Sequence, residues 1–136
     1  MREILFKGKR IDNGEWVEGC YAECNGKTFI GIDISIYGDI FEVFCTPVIR
    51  WLEVDPETLC QFTGETDKNG KRIWESDVVW LVYDGKEHIY QIVWDNSELD
   101  FKATNGEENY GSNFEYLLCC DEIEVIGNIF DNKELL

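Results

Sequence analysis

The sequence predicts an all-β (mainly β) fold, and three observations lead to that prediction. Polar and apolar residues alternate along most of the chain, and the alternating segments are rich in β-branched and aromatic residues. Short turn sequences that contain Asn-Gly or Asp-Gly separate these segments. Only VDPETL, at residues 54–59, has a convincing helix start. We therefore expect antiparallel strands with at most one or two short helical turns.

The first part of the chain predicts an antiparallel meander of four hairpin-connected strands. The turns DNG at 12–14, NGK at 25–27 and YGD at 37–39 separate its alternating segments. The predicted fourth strand, IFEVFCTPVI, contains Pro47. Proline lacks the N–H that a sheet ladder needs, so we expect this end of the strand at a sheet edge.

The helix start predicts a single turn, for which a 3₁₀ turn is one option, with Asp55 as its N-cap and Pro56 at its first position. Beyond it, strands recur every 8 to 12 residues with polar turns between them, which is typical of a small barrel or sandwich. The segment FEYLLCC fits either a strand or a short helix. We divide the chain into an N-terminal β-meander lobe, residues 1–58, and a C-terminal barrel lobe, residues 59–136, which can also pack as one compact domain.

The charge of the protein limits its partners. The 136 residues carry a net charge of −16, with −2 in residues 1–50 and −14 in residues 51–136. A negative field repels phosphate groups and anionic lipids, and it speeds encounter with basic partners. Nucleic acid and membranes are thus disfavoured, and the acidic charge serves either solubility or a basic protein partner. The N-terminus has no apolar signal region and no apolar run approaches 18 residues.

The six cysteines predict free thiols rather than disulfides or a zinc site. There is no C-x-x-C pair, and His88 is the only histidine. On a strand, Cys20 and Cys24 point to the same face about 13 Å apart, too far for one metal ion. We expect buried or half-buried thiols in a reducing cytoplasm. The cysteines are Cys20, Cys24, Cys45, Cys60, Cys119 and Cys120.

One stretch, QFTGETDKNGKRIWESDVVWLVY, could be an ion-binding loop or a hairpin. Its potential oxygen ligands are Asp67, Asn69, Glu75 and Asp77. Its spacing does not fit a calcium loop, because Gly70 falls at the fourth position rather than the sixth and lysines lie inside the loop. We predict instead that Asn69 and Gly70 adopt the positive-φ positions of a turn, that Asp67 accepts backbone hydrogen bonds and that Asp77 stabilises the turn before a core strand.

No catalytic set can be assembled from this sequence. Paired carboxylates such as Glu75 and Asp77 need a cleft and a second reacting group to act as acid and base. His88 is the only imidazole in the sequence, and we expect it in a turn that faces solvent. We therefore predict that the protein is not an enzyme, and we assign no catalytic, cofactor-binding or metal-binding residue.

The aromatic and basic residues do not indicate a nucleic-acid surface. The five tryptophans are interleaved with acidic residues, which favours the core or a protein interface over base stacking. The only basic cluster, Lys7, Lys9 and Arg10, lies on the first hairpin, where we expect it to guard a sheet edge. The tryptophans are Trp16, Trp51, Trp74, Trp80 and Trp94.

Four segments carry a pattern that extends over both ends and the centre of the chain. They are FKGKRIDNGEWVEG, VDPETL, LCQFTGETDKNGKRIWESDVV and EVIGNIFDNKELL. In this order they resemble the YopX family of phage and prophage proteins, whereas residues 81–122 match in character only. Ser76 stands where the family usually has glycine, and Lys133 stands where it usually has proline. If the backbone at Ser76 is left-handed, serine costs roughly 1–2 kcal/mol there, and Lys133 removes the fixed φ of proline.

The resemblance implies a phage or prophage origin, a second half similar to a small SH3-type barrel, an oligomer, and a chain that ends where the family ends. It implies no assigned activity. We expect a cytoplasmic accessory protein that self-associates and binds a host or phage protein. The alternative is a nucleic-acid-binding SH3-like barrel, for which fold analogy is the only argument.

Overall fold

A computed structural model describes residues 3–34, 48–105, 114–117 and 120–136. It divides into two compact units, an N-terminal unit of Ile4–Gln61 and a C-terminal unit of Met1–Glu3 with Phe62–Leu136. The predicted lobe boundary between residues 58 and 59 lies close to this division, and the assignment of lobes stays a prediction.

The chain is mostly β, which confirms the predicted fold class, whereas the SH3-like barrel stays a prediction. The N-terminal unit contains β1 (Phe6–Lys9), β2 (Trp16–Cys24), β3 (Lys27–Asp33), β4 (Ile49–Val54) and the start of β5 (Cys60–Thr66). The C-terminal unit contains the rest of β5, β6 (Arg72–Trp74), β7 (Asp77–Tyr83), β8 (Lys86–Asp95), β9 (Asp100–Thr104), β10 (Phe114–Tyr116) and β11 (Glu122–Asn128). The described part of the chain also contains two 3₁₀ turns, Pro56–Thr58 and Lys133–Leu135.

The N-terminal unit is the predicted antiparallel meander, with the strand order β4-β3-β2-β1-β5. Asn25 and Gly26 have φ values of 52° and 76°, as a two-residue turn between β2 and β3 requires. The strand that pairs with β3 is Ile49–Val54. The predicted turn at 37–39 and Pro47 lie outside the described residues.

The end of β4 also contacts the chain beyond β1. Arg10 forms an antiparallel bridge with Val54, the Ile11 N–H donates to the Glu53 carbonyl at 3.1 Å, and the Asp55 N–H donates to the Lys9 carbonyl at 2.8 Å. These bonds bring β4 back to β1 at one end, so the meander partly closes on itself.

One face of this meander forms the core of the N-terminal unit. Ile30, Leu52 and Val54 are buried on that face. A Cβ on Gly8 would lie 2.9 Å from Val54 Cγ2, so the close approach of β1 to Val54 requires glycine.

The prediction that the basic cluster guards a sheet edge was wrong. β1 pairs with β2 on one side and with β5 on the other, so it is not an edge strand. Instead, the Nζ atoms of Lys7 and Lys9 lie 4.5 and 5.4 Å from the centre of the Trp16 ring, and Arg10 forms an ion pair with Asp12.

The predicted helical turn is confirmed in detail. The Asp55 side chain accepts a hydrogen bond from the Glu57 N–H, and Pro56 occupies the first turn. The Thr58 hydroxyl accepts a hydrogen bond from the Lys9 N–H at 2.9 Å, which joins this turn to the end of β1.

The C-terminal unit contains an antiparallel sheet with the strand order β10-β9-β8-β7-β11. Residues 62–66 of β5 pair with β6. Asp84 and Gly85, with φ values of 51° and 74°, form the tight turn between β7 and β8. The ambiguous segment FEYLLCC begins as a strand, Phe114–Tyr116, and its Leu118 and Cys119 lie outside the described residues.

The core of this unit lies on one face of the sheet. Val78 and Val79 are both fully buried, so both faces are covered at the start of β7, as predicted. Further along the strand, Trp80 and Val82 on the opposite face are only half-buried, so the prediction does not hold there. The buried core cluster consists of Ile73, Val79, Leu81, Tyr90, Ile92, Phe101, Ala103 and Leu117.

Candidate functional site

The Asp67 carboxylate stabilises its own turn and also the last strand. Its Oδ1 atom accepts hydrogen bonds from the N–H groups of Asn69 and Lys71, both at 2.9 Å. Its Oδ2 atom accepts the Val125 N–H of β11 at 3.0 Å. The predicted turn role is therefore confirmed, but the contact with Val125, 58 positions along the chain, could not be inferred from local sequence. Gly70 has a φ of 80°, whereas Asn69 does not adopt positive φ, so that part of the prediction was wrong.

The hydrogen bonds of Asp67 fix its charge state. Burial raises the pKa of this carboxyl, but the N–H groups of Val125, Lys71 and Asn69, together with the Lys71 charge, lower the pKa below its usual value. Both carboxylate oxygens already accept backbone hydrogen bonds. Asp67 is thus an ionised structural group rather than a cation ligand.

The rest of the turn packs against β11. The Lys68 N–H donates to the Ile123 carbonyl at 3.0 Å, and Lys68 Nζ lies 3.9 Å from a Glu124 carboxylate oxygen and 4.8 Å from the centre of the Trp80 ring. The Asn69 amide donates to Glu124 at 3.4 Å.

Asp77 stabilises the corner between β6 and β7. Its Oδ2 atom accepts the Trp74 N–H at 2.8 Å, as predicted, and its side chain is buried. Ser76, which lies between Trp74 and Asp77 in the chain, adopts a φ of 72°, the left-handed conformation that favours glycine. The Ser76 N–H donates to the Ile92 carbonyl at 2.8 Å, and its carbonyl accepts the Ile129 N–H at 3.0 Å.

The C-terminal segment forms a compact turn that contacts the same corner. Asn128 Oδ1 accepts the N–H groups of Phe130 and Asp131, both at 2.9 Å. The Asn128 N–H donates to Asn132 Oδ1 at 3.3 Å. A Cβ on Gly127 would lie 2.5 Å from Asn132 Oδ1, so only glycine allows this approach. The central and final sequence blocks are joined by the bond from the Val125 N–H to Asp67 and by the bond from the Ile129 N–H to the Ser76 carbonyl.

His88 does not lie where the sequence predicted. His88 lies in β8 rather than in a turn, is half-buried, and stacks on Tyr90 with ring centres 4.8 Å apart, so its predicted exposure was wrong. No group of three or more His, Cys, Asp or Glu side chains within the described ranges is arranged to hold a metal ion.

A buried ion pair escaped the sequence analysis. Lys102 Nζ lies 3.1 Å from Asp95 Oδ2, and the two side chains are only 6% and 11% exposed. Hydrogen bonds from Ser97, together with the Lys102 ammonium, hold the pKa of Asp95 well below its usual value despite its burial. The position of Lys102 between the apolar residues Phe101 and Ala103 was the only sequence signal.

The cysteines are less buried than predicted. Cys20, Cys24, Cys60 and Cys120 are free thiols. Cys60 is buried and Cys120 half-buried, as expected, but Cys20 and Cys24 are exposed because both lie on the outer face of β2. Cys45 and Cys119 lie outside the described residues.

The five tryptophans differ in exposure and are divided between the two units. Trp74 is buried, Trp16 and Trp80 are half-buried, and Trp51 and Trp94 are 47% and 37% exposed. Trp94 donates to Asn96 and packs edge-on against Phe101.

The strongest candidate for a functional surface is the outer face of the N-terminal unit. The register of β2, β3 and β4 brings Ala22, Phe29 and Trp51 to this face, where they and Cys24 line an apolar hollow. Ile49, 38% exposed, extends it. We call these five residues the Trp51 face.

Together these features describe a small acidic all-β protein whose most distinctive sequence blocks build its fold. The chain belongs to the YopX family: the family model described as "YopX protein" matches residues 6–136, which confirms the resemblance.

One solved structure similar to this chain is the crystal structure of protein EF1440 from Enterococcus faecalis. Its TM-score is 0.56 at 22% identity, and the match covers 100% of this chain and 99% of that chain. At this identity the similarity shows the fold alone. No curated protein matches the chain. In the described residues, no helix has the length and apolar character needed to span a membrane.

Proposed function

We propose that this protein is a non-enzymatic, phage- or prophage-encoded accessory protein of the bacterial cytoplasm that self-associates and binds a host or phage protein. The observation that carries this proposal is the Trp51 face. Its most exposed aromatic residue, Trp51, is surrounded by apolar side chains on an outer sheet surface. Tryptophan is enriched among the residues that contribute most to protein interfaces.

The polar residues of the C-terminal unit support a non-enzymatic role. Asp67 and Asp77 accept backbone N–H bonds, and Asp95 is paired with Lys102. A general acid or base needs a lone pair or proton directed at a substrate, whereas these carboxylates are directed at the protein itself.

The charge of the C-terminal unit supports a basic partner. Its 7 basic and 18 acidic side chains give a net charge of −11. Such a field raises the rate of encounter with positively charged proteins. The N-terminal unit, with 5 basic and 10 acidic side chains, carries −5.

Size-exclusion chromatography with light scattering tests self-association. At about 50 μM, a concentration that detects micromolar dimers, we expect a mass above the 15.9 kDa of one chain. Trp51→Ser should return the mass to that of a monomer. Trp94→Ser is the matched control, because Trp94 is also exposed but lies in the other unit.

A pull-down from host lysate with wild type and Trp51→Ser tests partner binding. We expect a basic protein to be retained by wild type and lost with the variant. A monomer in solution together with an empty pull-down would refute the proposal.

A further inference from the structure

With respect to the described residues, the outer edge of β4 has backbone groups available for another strand. The Ile34 N–H donates to the Val48 carbonyl. Hydrogen-bonded positions recur at every second residue of an antiparallel ladder, so Arg50 and Leu52 direct their backbone groups to β3, whereas Ile49 and Trp51 direct theirs away from it. Glu53 lies two residues after Trp51, so its backbone groups also point away from β3. Its carbonyl accepts the Ile11 N–H, which agrees with this pattern.

A groove runs along this edge. The turn after β1, with Arg10, Ile11 and Asp12, forms one wall, and residues 50–53 of β4 form the other. Ile11 and Trp51 are 58% and 47% exposed, so apolar surface is present on both walls. In the described residues, the order of the sheet ends at β4.

Among the charged groups that line the groove, Arg50 is the one that favours a carboxylate of a partner, because Glu53 lies 4.0 Å from Lys27 Nζ. Arg10 is already engaged by Asp12 through two hydrogen bonds, at 2.9 and 2.6 Å. Arg50 is exposed and makes no hydrogen bond or ion pair with the described part of the chain. Arginine forms its strongest contacts with carboxylates, in charge-assisted hydrogen bonds.

From this geometry we infer that the edge of β4 binds an extended segment of a partner protein by strand addition, with an acidic residue of the segment beside Arg50 and an adjacent apolar residue against Trp51. Backbone bonds to Ile49 and Trp51 supply affinity that is independent of sequence, and the Arg50 contact supplies specificity. In an extended segment adjacent side chains lie on opposite faces, as Arg50 and Trp51 do on β4.

A second copy of the chain is a poor occupant of this edge. The bond to Ile11 occupies the Glu53 carbonyl, so the antiparallel register in which both Ile49 and Trp51 pair sets Ile49 of one copy opposite Trp51 of the other. That register sets Arg50 opposite its own counterpart, and like charges in directly opposed positions destabilise a strand pair. A different protein that carries the acidic segment avoids this repulsion.

The inference rests on the proposed protein binding and adds that the partner, basic as a whole, presents one acidic residue within an extended segment. Its test uses the full-length protein and a synthetic nine-residue peptide with blocked ends. Valine occupies every second position of the peptide, and threonine the others except the centre, which is glutamate. Titration to about 1 mM, which detects weak complexes, is followed by two-dimensional ¹⁵N NMR. We expect the largest amide shifts at Ile49, Trp51 and their neighbours.

Three comparisons define the complex. A peptide with lysine in place of glutamate should bind at least about fivefold more weakly, since a favourable charge pair becomes a repulsive one. A peptide with its central backbone amides methylated should lose binding, because it cannot pair with the edge. Arg50→Glu should reverse the preference between glutamate and lysine, whereas Lys86→Glu, the same charge change in the other unit, should leave it unchanged.

Three results would overturn the inference. They are an absence of shifts near Ile49 and Trp51, equal binding of the methylated peptide, and a glutamate preference that survives Arg50→Glu. If Arg50→Glu does not fold, the methylated peptide on wild type still decides. Light scattering separates the two proposals: an oligomer that ignores the peptide refutes only strand addition, whereas a monomer that binds the peptide refutes only self-association.

Discussion

At the scale of single residues, Asp67 joins its own turn to β11 in the C-terminal unit. Three backbone N–H groups from two distant segments donate to it. An amide at this position would offer one oxygen instead of two and would place an NH₂ group against a backbone donor. We predict that Asp67→Asn lowers the free energy of unfolding by about 2–4 kcal/mol.

Urea denaturation at pH 7 measures this loss. Asp55→Asn is the matched control, because Asp55 is exposed and asparagine serves as well as aspartate at an N-cap. We expect the control to change stability by less than about 0.5 kcal/mol. A loss of similar size in both variants would refute the role of the Val125 contact.

The same variant tests the pH dependence. The pKa of Asp67 is lower in the folded than in the unfolded protein, so its stabilisation is complete above the unfolded value of about 3.9 and is lost as pH falls through the folded value. The difference in unfolding free energy between wild type and Asp67→Asn should therefore shrink below about pH 4. A constant difference down to about pH 2 would contradict this sign.

Ser76 is the second residue with a specific expectation. Its φ of 72° is a conformation in which serine is strained and glycine is not. We predict that Ser76→Gly raises the free energy of unfolding by roughly 0.5–1 kcal/mol, because relief of strain exceeds the entropy that glycine loses on folding. Thermal and urea denaturation measure the gain. Ser76→Ala removes the hydroxyl but keeps the strain, so an equal gain in both variants would refute the explanation.

At the scale of elements, the end of β11 depends on the turn that follows it. Gly127 lies against Asn132, whose side chain accepts the Asn128 N–H. Gly127→Ala must displace Asn132, and we predict a loss of about 1–3 kcal/mol in unfolding free energy.

A double-mutant cycle separates this contact from a general effect on the strand. In Gly127→Ala with Asn132→Ala, the added methyl group no longer meets Oδ1 and Cγ of residue 132 and contacts only its Cβ, at 2.9 Å. The combined loss should therefore be smaller than the sum of the two single losses. Urea denaturation of the four proteins measures the coupling. Additive losses would show that the two residues do not interact.

At the scale of the whole molecule, the net charge of −16 is the dominant feature. Few acidic residues of the C-terminal unit are neutralised by the ion pairs described above, so its carboxylates repel one another. We predict that raising sodium chloride from about 10 to about 300 mM increases the free energy of unfolding, because salt screens this repulsion. Urea is the suitable denaturant because it adds no ions. An unchanged or lower stability over this range would contradict the prediction.

Local sequence was sufficient wherever a short segment determines its own conformation. Asn25 with Gly26 and Asp84 with Gly85 form the tight turns expected of them, and Asp55 caps the turn that starts at Pro56. These features depend on φ preferences and on hydrogen bonds within a few residues. The β class follows from the same local patterns.

The candidate surface and groove could not be predicted in this way. Alternation in β2 places Cys20 and Cys24 on one face, but it does not say whether that face is covered. The groove between Ile11 and β4 joins segments about 40 positions apart, and no local pattern indicates such a contact.

The sequence by itself thus determined the fold class and most of the turns, because these depend on the conformational preferences of neighbouring residues, and the order of its four segments determined the family. Only the tertiary structure decided that Asp67 binds Val125, that Lys102 is buried beside Asp95, and that Trp51 is exposed. The physical reason is that burial and long-range hydrogen bonds depend on which strands become neighbours, and many strand arrangements are compatible with the same alternating pattern.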